Sequence, residues 1–199
     1  MKNTSLLLSL LFVFVICSPS IWGAPIPISS CAKINASGSY VLTKNITATA
    51  AAMKPVWPSP TFLSCIIIAA DNVTLDLAGY VITGPGSANT SGVSQDTTTR
   101  NGDVVHSGAV NNFETGVMFA GSGHTIQNIN ASKNGDGIYI HLQSGNRVIG
   151  NTANNNSRYG LNIESCPNVL LENMANGNAI ADIYDRGSCD VRQENSPSP

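Results

Sequence analysis

The chain has 199 residues, of which 42% are hydrophobic and only 11% are charged, and its formal net charge is −2. This length suits a single domain. Lysine and arginine form no cluster, so we expect no nucleic-acid partner, because neutralising phosphate groups requires a basic face.

Residues 1–23 predict a secretory signal peptide. Lys2 supplies the positive charge, and residues 6–16 form an apolar stretch that is too short to span a bilayer. Because no later stretch is apolar over the length of a membrane helix, we expect no membrane span. The mature protein is therefore expected to be secreted or periplasmic.

Short strands and turns are predicted in the first half of the chain. Residues 24–64 predict an N-terminal strand and cap, followed by an irregular loop that contains several prolines. Strands are predicted at 39–42, 65–68 and 72–77, and the last of them alternates apolar with polar residues. Residues 84–103 have little apolar content and predict a long loop.

The stretch 116–184 repeats a four-residue pattern about every 22 residues. The units are Gly-Val-Met-Phe (116–119), Gly-Ile-Tyr-Ile (137–140), Gly-Leu-Asn-Ile (160–163) and the degenerate Ala-Asp-Ile-Tyr (181–184). Two sets of asparagines recur in step, namely Asn128, Asn151 and Asn173, and Asn134, Asn156 and Asn178. The period is too short for an α/α solenoid, and the regular leucines of a leucine-rich repeat are missing.

These short alternating strands, separated by Asn, Gly and Ser turns, predict an all-β protein built as a single parallel β-helix of about six coils. The β-helix is expected over residues 65–191, and residues 192–199 are expected to form a disordered tail. Stacked asparagine amides would hydrogen-bond between coils. Inward stacks are expected as Phe119–Ile140–Ile163–Ile183 and Val148–Leu170. A β-sandwich with Asn-rich loops is the alternative.

Four cysteines remain after removal of the signal, and an even number in an exported protein predicts disulfides. Cys166 and Cys189 lie about one coil apart, and neighbouring coils approach within the Cα separation of a disulfide. We therefore expect the pairs Cys166–Cys189 and Cys31–Cys65. A zinc site is the rival interpretation, but the CxxC pairs typical of zinc sites are missing.

Three runs resemble secreted right-handed parallel β-helix repeat proteins of the pectin lyase-like superfamily. They are CIIIAADNVTLDLAGYVITGPG (65–86), VVHSGAVNNFETGV (104–117) and GDGIYI…NRVIGNTANNNSRYGLNI (135–163). The resemblance implies a right-handed helix and a polysaccharide partner along the sheet formed by the first strand of each coil. Its motifs are turn and core residues, so it specifies a fold and not an activity.

The candidate site residues follow from the alternation on that first sheet. One outward row is expected to contain Met118, Tyr139, Asn162 and Asp182, and the next Ala120, His141, Glu164 and Tyr184, with Asp185 and Arg186 nearby. His141 and Glu164 are the candidate catalytic pair, because carbohydrate chemistry needs a base that takes a ring proton, together with a cation for a uronate and an aromatic side chain against the sugar. The candidate substrate-binding residues are Tyr139, Asn162, Asp182, Tyr184 and Arg186.

Structural roles would also explain these residues. His141 and Glu164 could be a stacked surface pair, Tyr139 could fill the strand, and Asp185 with Arg186 could form a turn that caps the last coil. The superfamily's active-site motifs do not occur in the chain. Missing are the clustered aspartates of calcium-dependent pectate lyases, the Asn-Thr-Asp, Asp-Asp and Arg-Ile-Lys signatures of polygalacturonases, and the Asp-Pro-His-Asp motif of alginate epimerases.

The sequence therefore predicts a secreted β-helix protein that binds polysaccharide along its first-strand face without turnover. The alternative is a small polysaccharide lyase or epimerase that acts on uronate-containing glycans through His141, Glu164 and Tyr139. Calcium would be needed only in that alternative, and otherwise no cofactor or metal is expected. A purely structural role at the cell envelope is a third hypothesis.

Overall fold

The computed structural model describes residues 23–56, 58–97, 99–186, 190–193 and 195–197. Within these residues the chain forms strands and turns and no helix. The strands are β1 (Ile26–Ile28), β2 (Ala32–Ile34), β3 (Gly38–Leu42), β4 (Ile46–Thr47), β5 (Lys54–Val56), β6 (Ser59–Ile68), β7 (Val73–Asp76), β8 (Val81–Thr83), β9 (Thr90–Gln95), β10 (Val104–Asn111), β11 (Thr115–Phe119), β12 (Thr125–Asn130), β13 (Asp136–Ile140), β14 (Arg147–Ile149), β15 (Thr152–Asn154), β16 (Tyr159–Ile163), β17 (Val169–Leu171), β18 (Met174–Asn176), β19 (Ala181–Asp185), β20 (Val191–Gln193) and β21 (Ser196–Pro197).

The strands build three long faces that the chain visits in turn. The first sheet runs in the order β2-β6-β9-β11-β13-β16-β19. The second face runs β1-β3-β7-β10-β12-β14-β17-β20, and the third contains β4, β8, the second halves of β10 and β12, then β15, β18 and β21. These neighbours pair in parallel, and only β5 pairs antiparallel, with β6, among the described strands. This path confirms the predicted parallel β-helix.

The described residues contain seven strands of the first sheet and hence seven coils, against about six predicted. Part of the predicted loop 84–103 is in fact β9, which pairs with β6 on one side and β11 on the other. The prediction of a loop is therefore wrong over Thr90–Gln95. Val93 is the only apolar residue of β9, so apolar alternation could not reveal this strand.

The core is a set of aliphatic and aromatic stacks that run through the coils. Phe119, Ile140 and Ile163 lie in register and are fully buried, and Val148 pairs with Leu170, as predicted. Ile183 does not continue the first stack, because it pairs with Leu161, and Asp185 pairs with Ile163. Each fully buried member stabilises the fold by roughly 1.5–3 kcal/mol.

Asparagine ladders hold the corners between the faces. Asn134 and Asn156 form the ladder predicted at one corner: the backbone N–H of Asn134 donates to Asn156 Oδ1 at 2.8 Å, and Asn156 Nδ2 donates to Asn178 Oδ1 at 2.9 Å. The second predicted ladder contains Asn151 and Asn173 and continues to Asn195. Its predicted first member is wrong, since the backbone N–H of Ile129, and not of Asn128, donates to Asn151.

A third ladder runs along the corner between the first and second faces and was not predicted. Successive backbone N–H groups of His124, Asn146 and Asn168 donate to the side-chain oxygen one coil on, at 2.7–3.0 Å, and Asp190 receives the last of these bonds. Such side chains satisfy backbone groups that cannot pair with a neighbouring strand at a corner.

The glycines of the repeat are required by close approach to these ladders. A Cβ atom on Gly137 would lie 2.5 Å from the carbonyl oxygen of Gly160 and 2.9 Å from Asn156 Nδ2. A Cβ atom on Gly116 or Gly160 would meet equivalent carbonyl and amide groups at 2.5–2.9 Å. The four-residue pattern therefore begins with glycine because any side chain would displace the ladder.

The disulfide Cys31–Cys65 is confirmed, with Cα atoms 4.4 Å apart. It links the first two coils across residues 32–64, a segment that contains β2, β3 and β4 as well as the excursion into β5. The proposed bridge between Cys166 and Cys189 stays a prediction, because Cys189 lies outside the described residues.

The C-terminal segment differs from the predicted disordered tail. Residues 191–193 and 196–197 form β20 and β21, which pair with β17 and β18, and Asn195 ends a ladder on Asn173. Backbone pairing and the ladder order this segment although its composition is polar. Nearly all of the predicted signal peptide lies outside the described residues. Within the described part of the chain, no helix is long and apolar enough to cross a membrane.

Candidate functional site

The outward face of the first sheet brings Tyr139, His141 and Glu164 into one hydrogen-bonded cluster. The Tyr139 hydroxyl lies 2.7 Å from Glu164 Oε2 and 2.7 Å from His141 Nδ1. His141 Nδ1 in turn lies 2.7 Å from Glu164 Oε2. Strand alternation places Tyr139 and His141 on the same side of β13, and pairing with β16 places Glu164 one coil away. The structure thus brings together the two candidate catalytic residues and the candidate substrate-binding residue Tyr139.

The Glu164 carboxylate determines the protonation of this cluster. Burial alone would raise the pKa of Glu164, but the hydrogen bonds from Tyr139 and His141 outweigh it, so the pKa lies below its ordinary value. Burial and the nearby Glu164 carboxylate raise the pKa of Tyr139. Tyr139 therefore stays protonated and donates to an ionised carboxylate. His141, whose side chain is 36% exposed, is the member placed to exchange a proton with a ligand.

The last coil joins this face two residues later than predicted. Asn162 pairs with Tyr184, so the row continues to Tyr184 and the predicted position of Asp182 is wrong. The Asp182 carboxylate instead accepts hydrogen bonds from the backbone N–H and Nδ2 of Asn178, at 3.0 and 2.7 Å. Asp182 ends an asparagine ladder because a carboxylate supplies the same acceptor as the missing next asparagine.

The corrected register gives Tyr184 and Arg186 new neighbours. The Tyr184 ring centroid lies 5.1 Å from that of Tyr159, which directly precedes the repeat glycine Gly160. Arg186 follows Glu164 in the next row, where its charge contributes to lowering the pKa of Glu164. Both remain at the site, and Tyr184 is 37% exposed.

Three charged residues at the start of the first-sheet strands belong to the site and were not predicted. Arg158 Nε and Nη2 each donate to an oxygen of Asp136 at 2.9 Å, and Nη1 lies 3.3 Å from Glu114 Oε1. Glu114 also accepts the backbone N–H of Asn89. Glu114 and Arg158 both stand two residues before a repeat glycine, and this shared offset was the signal that could have identified them.

A groove of about 300 Å³ joins the cluster to this ion-pair network. It crosses β11, β13 and β16 on three consecutive coils. Its lining residues are Phe62, Glu114, Thr115, Met118, Asp136, Tyr139, Arg158, Tyr159, Asn162 and Glu164. Among the described residues, no group of three or more His, Cys, Asp or Glu side chains is placed to hold a metal ion.

A second, wider depression of about 580 Å³ lies at the neighbouring corner. It shares Glu114 and Arg158 with the groove and adds Lys133, Asn155 and the turn at 86–88. The Glu114–Arg158 pair therefore lines both depressions.

Comparison with known proteins agrees with this architecture. The model of the family described as right-handed β-helix region matches residues 59–196, from β6 to β21 and well over half of the chain. No curated protein and no solved structure matches the chain. The match fits the parallel three-faced path and is consistent with the pectin lyase-like superfamily that the sequence resembles. The chain belongs to the right-handed β-helix family.

Proposed function

We propose that the protein binds a polysaccharide along the outward face of the first sheet, without turnover. The observation that carries this proposal is the groove that crosses three coils and combines tyrosine rings with hydrogen-bonding side chains. A tyrosine ring offers an apolar surface for the C–H face of a sugar, and carboxylate and amide groups pair with its hydroxyls. Tyr139, Asn162, Tyr184 and Arg186 are the proposed contacts.

Retention by soluble polysaccharides, measured by affinity gel electrophoresis of the secreted protein, tests this proposal. Tyr184→Ala removes an exposed ring beside the groove and is expected to weaken retention several-fold, because stacking area is lost. Val191→Ala is the matched control, since Val191 is 58% exposed on the second face. Equal retention of both variants and the parent protein would contradict the assignment of this face.

A second function is favoured by the Tyr139–His141–Glu164 cluster, namely turnover of a uronate-containing glycan by β-elimination or epimerisation. His141, oriented by Glu164, would remove the ring proton next to the uronate carboxyl group, and the protonated Tyr139 would donate to the leaving glycosidic oxygen. In elimination the C–O bond breaks as a C=C bond forms. In epimerisation a proton returns to the opposite face of the ring.

Two readouts cover both reactions on pectate, alginate and other uronans, with and without calcium. Elimination creates a conjugated double bond that absorbs ultraviolet light, and epimerisation in deuterated water incorporates deuterium at the abstracted position. Activity that disappears in His141→Ala and Glu164→Gln would replace the binding proposal with turnover. Absence of both signals on polymers that the protein retains would support binding alone.

A further inference from the structure

We propose that the first-sheet groove takes a sugar unit that offers hydroxyl or amino donors and carries no carboxylate. This inference rests on the proposed polysaccharide binding and names its substrate class. Three carboxylates line the groove, those of Glu114, Asp136 and Glu164, and Arg158 is the only lysine or arginine among the lining residues. The lining therefore carries a formal charge of −2.

The guanidinium of Arg158 is already engaged by the protein. Its Nε and Nη2 atoms donate to Asp136 and its Nη1 atom donates to Glu114. An incoming carboxylate therefore finds no edge of the guanidinium with two free N–H groups. A uronate in the groove would meet like charges at close range, which costs free energy unless a cation accompanies it. A neutral or amino sugar meets no such repulsion.

Asn162 adds an independent indication that the ligand must be a donor. Asn162 is 7% exposed and lines the groove, and its Nδ2 atom donates to Asp136 Oδ2 at 3.4 Å. Its Oδ1 atom is buried and accepts no hydrogen bond from the described residues. An amide flip would turn Oδ1 towards the Asp136 carboxylate, so the present orientation is the favourable one. An acceptor buried without a donor is unfavourable, and a rotation of the amide towards the groove would let a hydroxyl or N–H of a ligand satisfy it.

The groove thus offers acceptors where a ligand would bind, and its rings offer apolar surface. Sugar hydroxyls, ammonium groups and acetamido N–H groups are all donors and suit this arrangement. A carboxylate supplies only acceptors. The same charges weigh against the uronate turnover considered above.

Chemically matched polymers isolate the carboxylate. The probes are a soluble neutral glucan, the same glucan oxidised at C6 to the uronate, and a soluble glucan in which an amino group replaces one hydroxyl of each unit. All three are used without calcium. We expect the oxidised polymer to bind on the order of tenfold more weakly than its parent at low salt, and the difference to shrink as salt screens the repulsion. The amino polymer is expected to bind at least as tightly as the neutral one.

Asn162→Leu removes the acceptor and nearly keeps the shape of the side chain. If Oδ1 recognises the sugar, this variant loses affinity several-fold. Its unfolding free energy changes little, because the loss of the long bond to Asp136 is offset by removal of a buried acceptor that had no donor. Asn176→Leu, an exposed position on the third face, is the matched control. Asn162→Leu binding that equals that of the control would overturn the role of Asn162.

The outcomes separate this inference from the function on which it rests. Oxidised glucan that binds as tightly as the parent polymer would overturn the selectivity and leave polysaccharide binding standing. No retention by the neutral, oxidised or amino polymer would overturn polysaccharide binding itself, and the selectivity with it.

Discussion

Acid should destabilise this protein through one buried histidine. His124 is completely buried, and its Nδ1 atom accepts the backbone N–H of Asp103 at 3.0 Å. Its ring packs edge-on against Phe119, with centroids 4.9 Å apart. Burial lowers the pKa of His124 to about 4, although a hydrogen bond to the carbonyl of Arg100 acts in the opposite direction.

The sign of the effect follows from comparing the folded and unfolded chains. The pKa of His124 is 6.5 in the unfolded chain and about 4 in the folded protein, so the unfolded chain binds the proton first as the pH falls. Stability is therefore lost between about pH 6.5 and pH 4, by a total of about 3 kcal/mol. Burial raises the pKa of Asp103, so this carboxyl group contributes with the opposite sign as the pH approaches 4.

His124→Asn isolates the histidine because asparagine is the residue that the next two coils use at this position. Asn146 Oδ1 accepts the N–H of His124 at 3.0 Å, and Asn168 Oδ1 accepts that of Asn146 at 3.0 Å. The variant should keep the ladder bond to Asp103 and lose the titration. Urea unfolding followed by far-ultraviolet circular dichroism at pH 7, 6, 5 and 4 should show a loss about 3 kcal/mol larger in the parent protein than in the variant. Parallel pH profiles would refute this reasoning.

Three further substitutions test what holds the coils together, each by chemical denaturation against the parent protein. Asn151→Ala should lower the free energy of unfolding by about 1–3 kcal/mol, because the buried N–H of Ile129 loses its acceptor, and an unchanged midpoint would argue against the ladder. Gly137→Ala should cost about 1–3 kcal/mol or more, since its Cβ atom meets a backbone carbonyl at 2.5 Å, whereas a neutral effect would mean that the neighbouring coil relaxes freely. Replacing Cys31 and Cys65 together by alanine should cost about 3 kcal/mol, and a stability insensitive to reductant would contradict that value.

The repeat predicted the fold because its period is a property of the backbone path. The repeat glycines and the asparagine ladders lie at or next to the corners between faces. Each corner recurs once per coil, independently of which residues form the strands. The register failed at residues 181–184, where Asp182 stands in the glycine position and the pattern was aligned on Ala181. The predicted row placed Asp182 beside Asn162, whereas the partner is Tyr184. A shift of two residues keeps the side of the strand and changes only which side chain lies beside Asn162.

The polar strand β9 and the charged residue Asp136 were not predicted, for a different reason. In β9 the serines Ser91 and Ser94 are completely buried although they are polar, in a strand that pairs with β6 on one side and β11 on the other. The sequence predicted no role for Asp136 in the site, yet its carboxylate accepts hydrogen bonds from the guanidinium of Arg158 on the next coil. Such pairings depend on which side chains lie beside each other on neighbouring coils. The sequence identifies these neighbours only after the register between coils is known.

The site is confined to a few coils, and this limits the number of sugar units that it can contact. In the outward row, Ile67 and Ser94 are completely buried, so the accessible part of the row begins at Met118. It continues through Tyr139 and the largely buried Asn162 to Tyr184. No two neighbouring positions carry the same side chain, and the three strands that the groove crosses span about 10 Å between first and last. If the proposed binding is correct, affinity should therefore rise over the first few sugar units and then reach a plateau, because additional units meet no further matching positions. Isothermal titration with a ladder of oligosaccharides of one glycan measures this directly. An affinity per chain that keeps rising well beyond a length that fills the groove would show that the whole face, and not this local groove, holds the polymer.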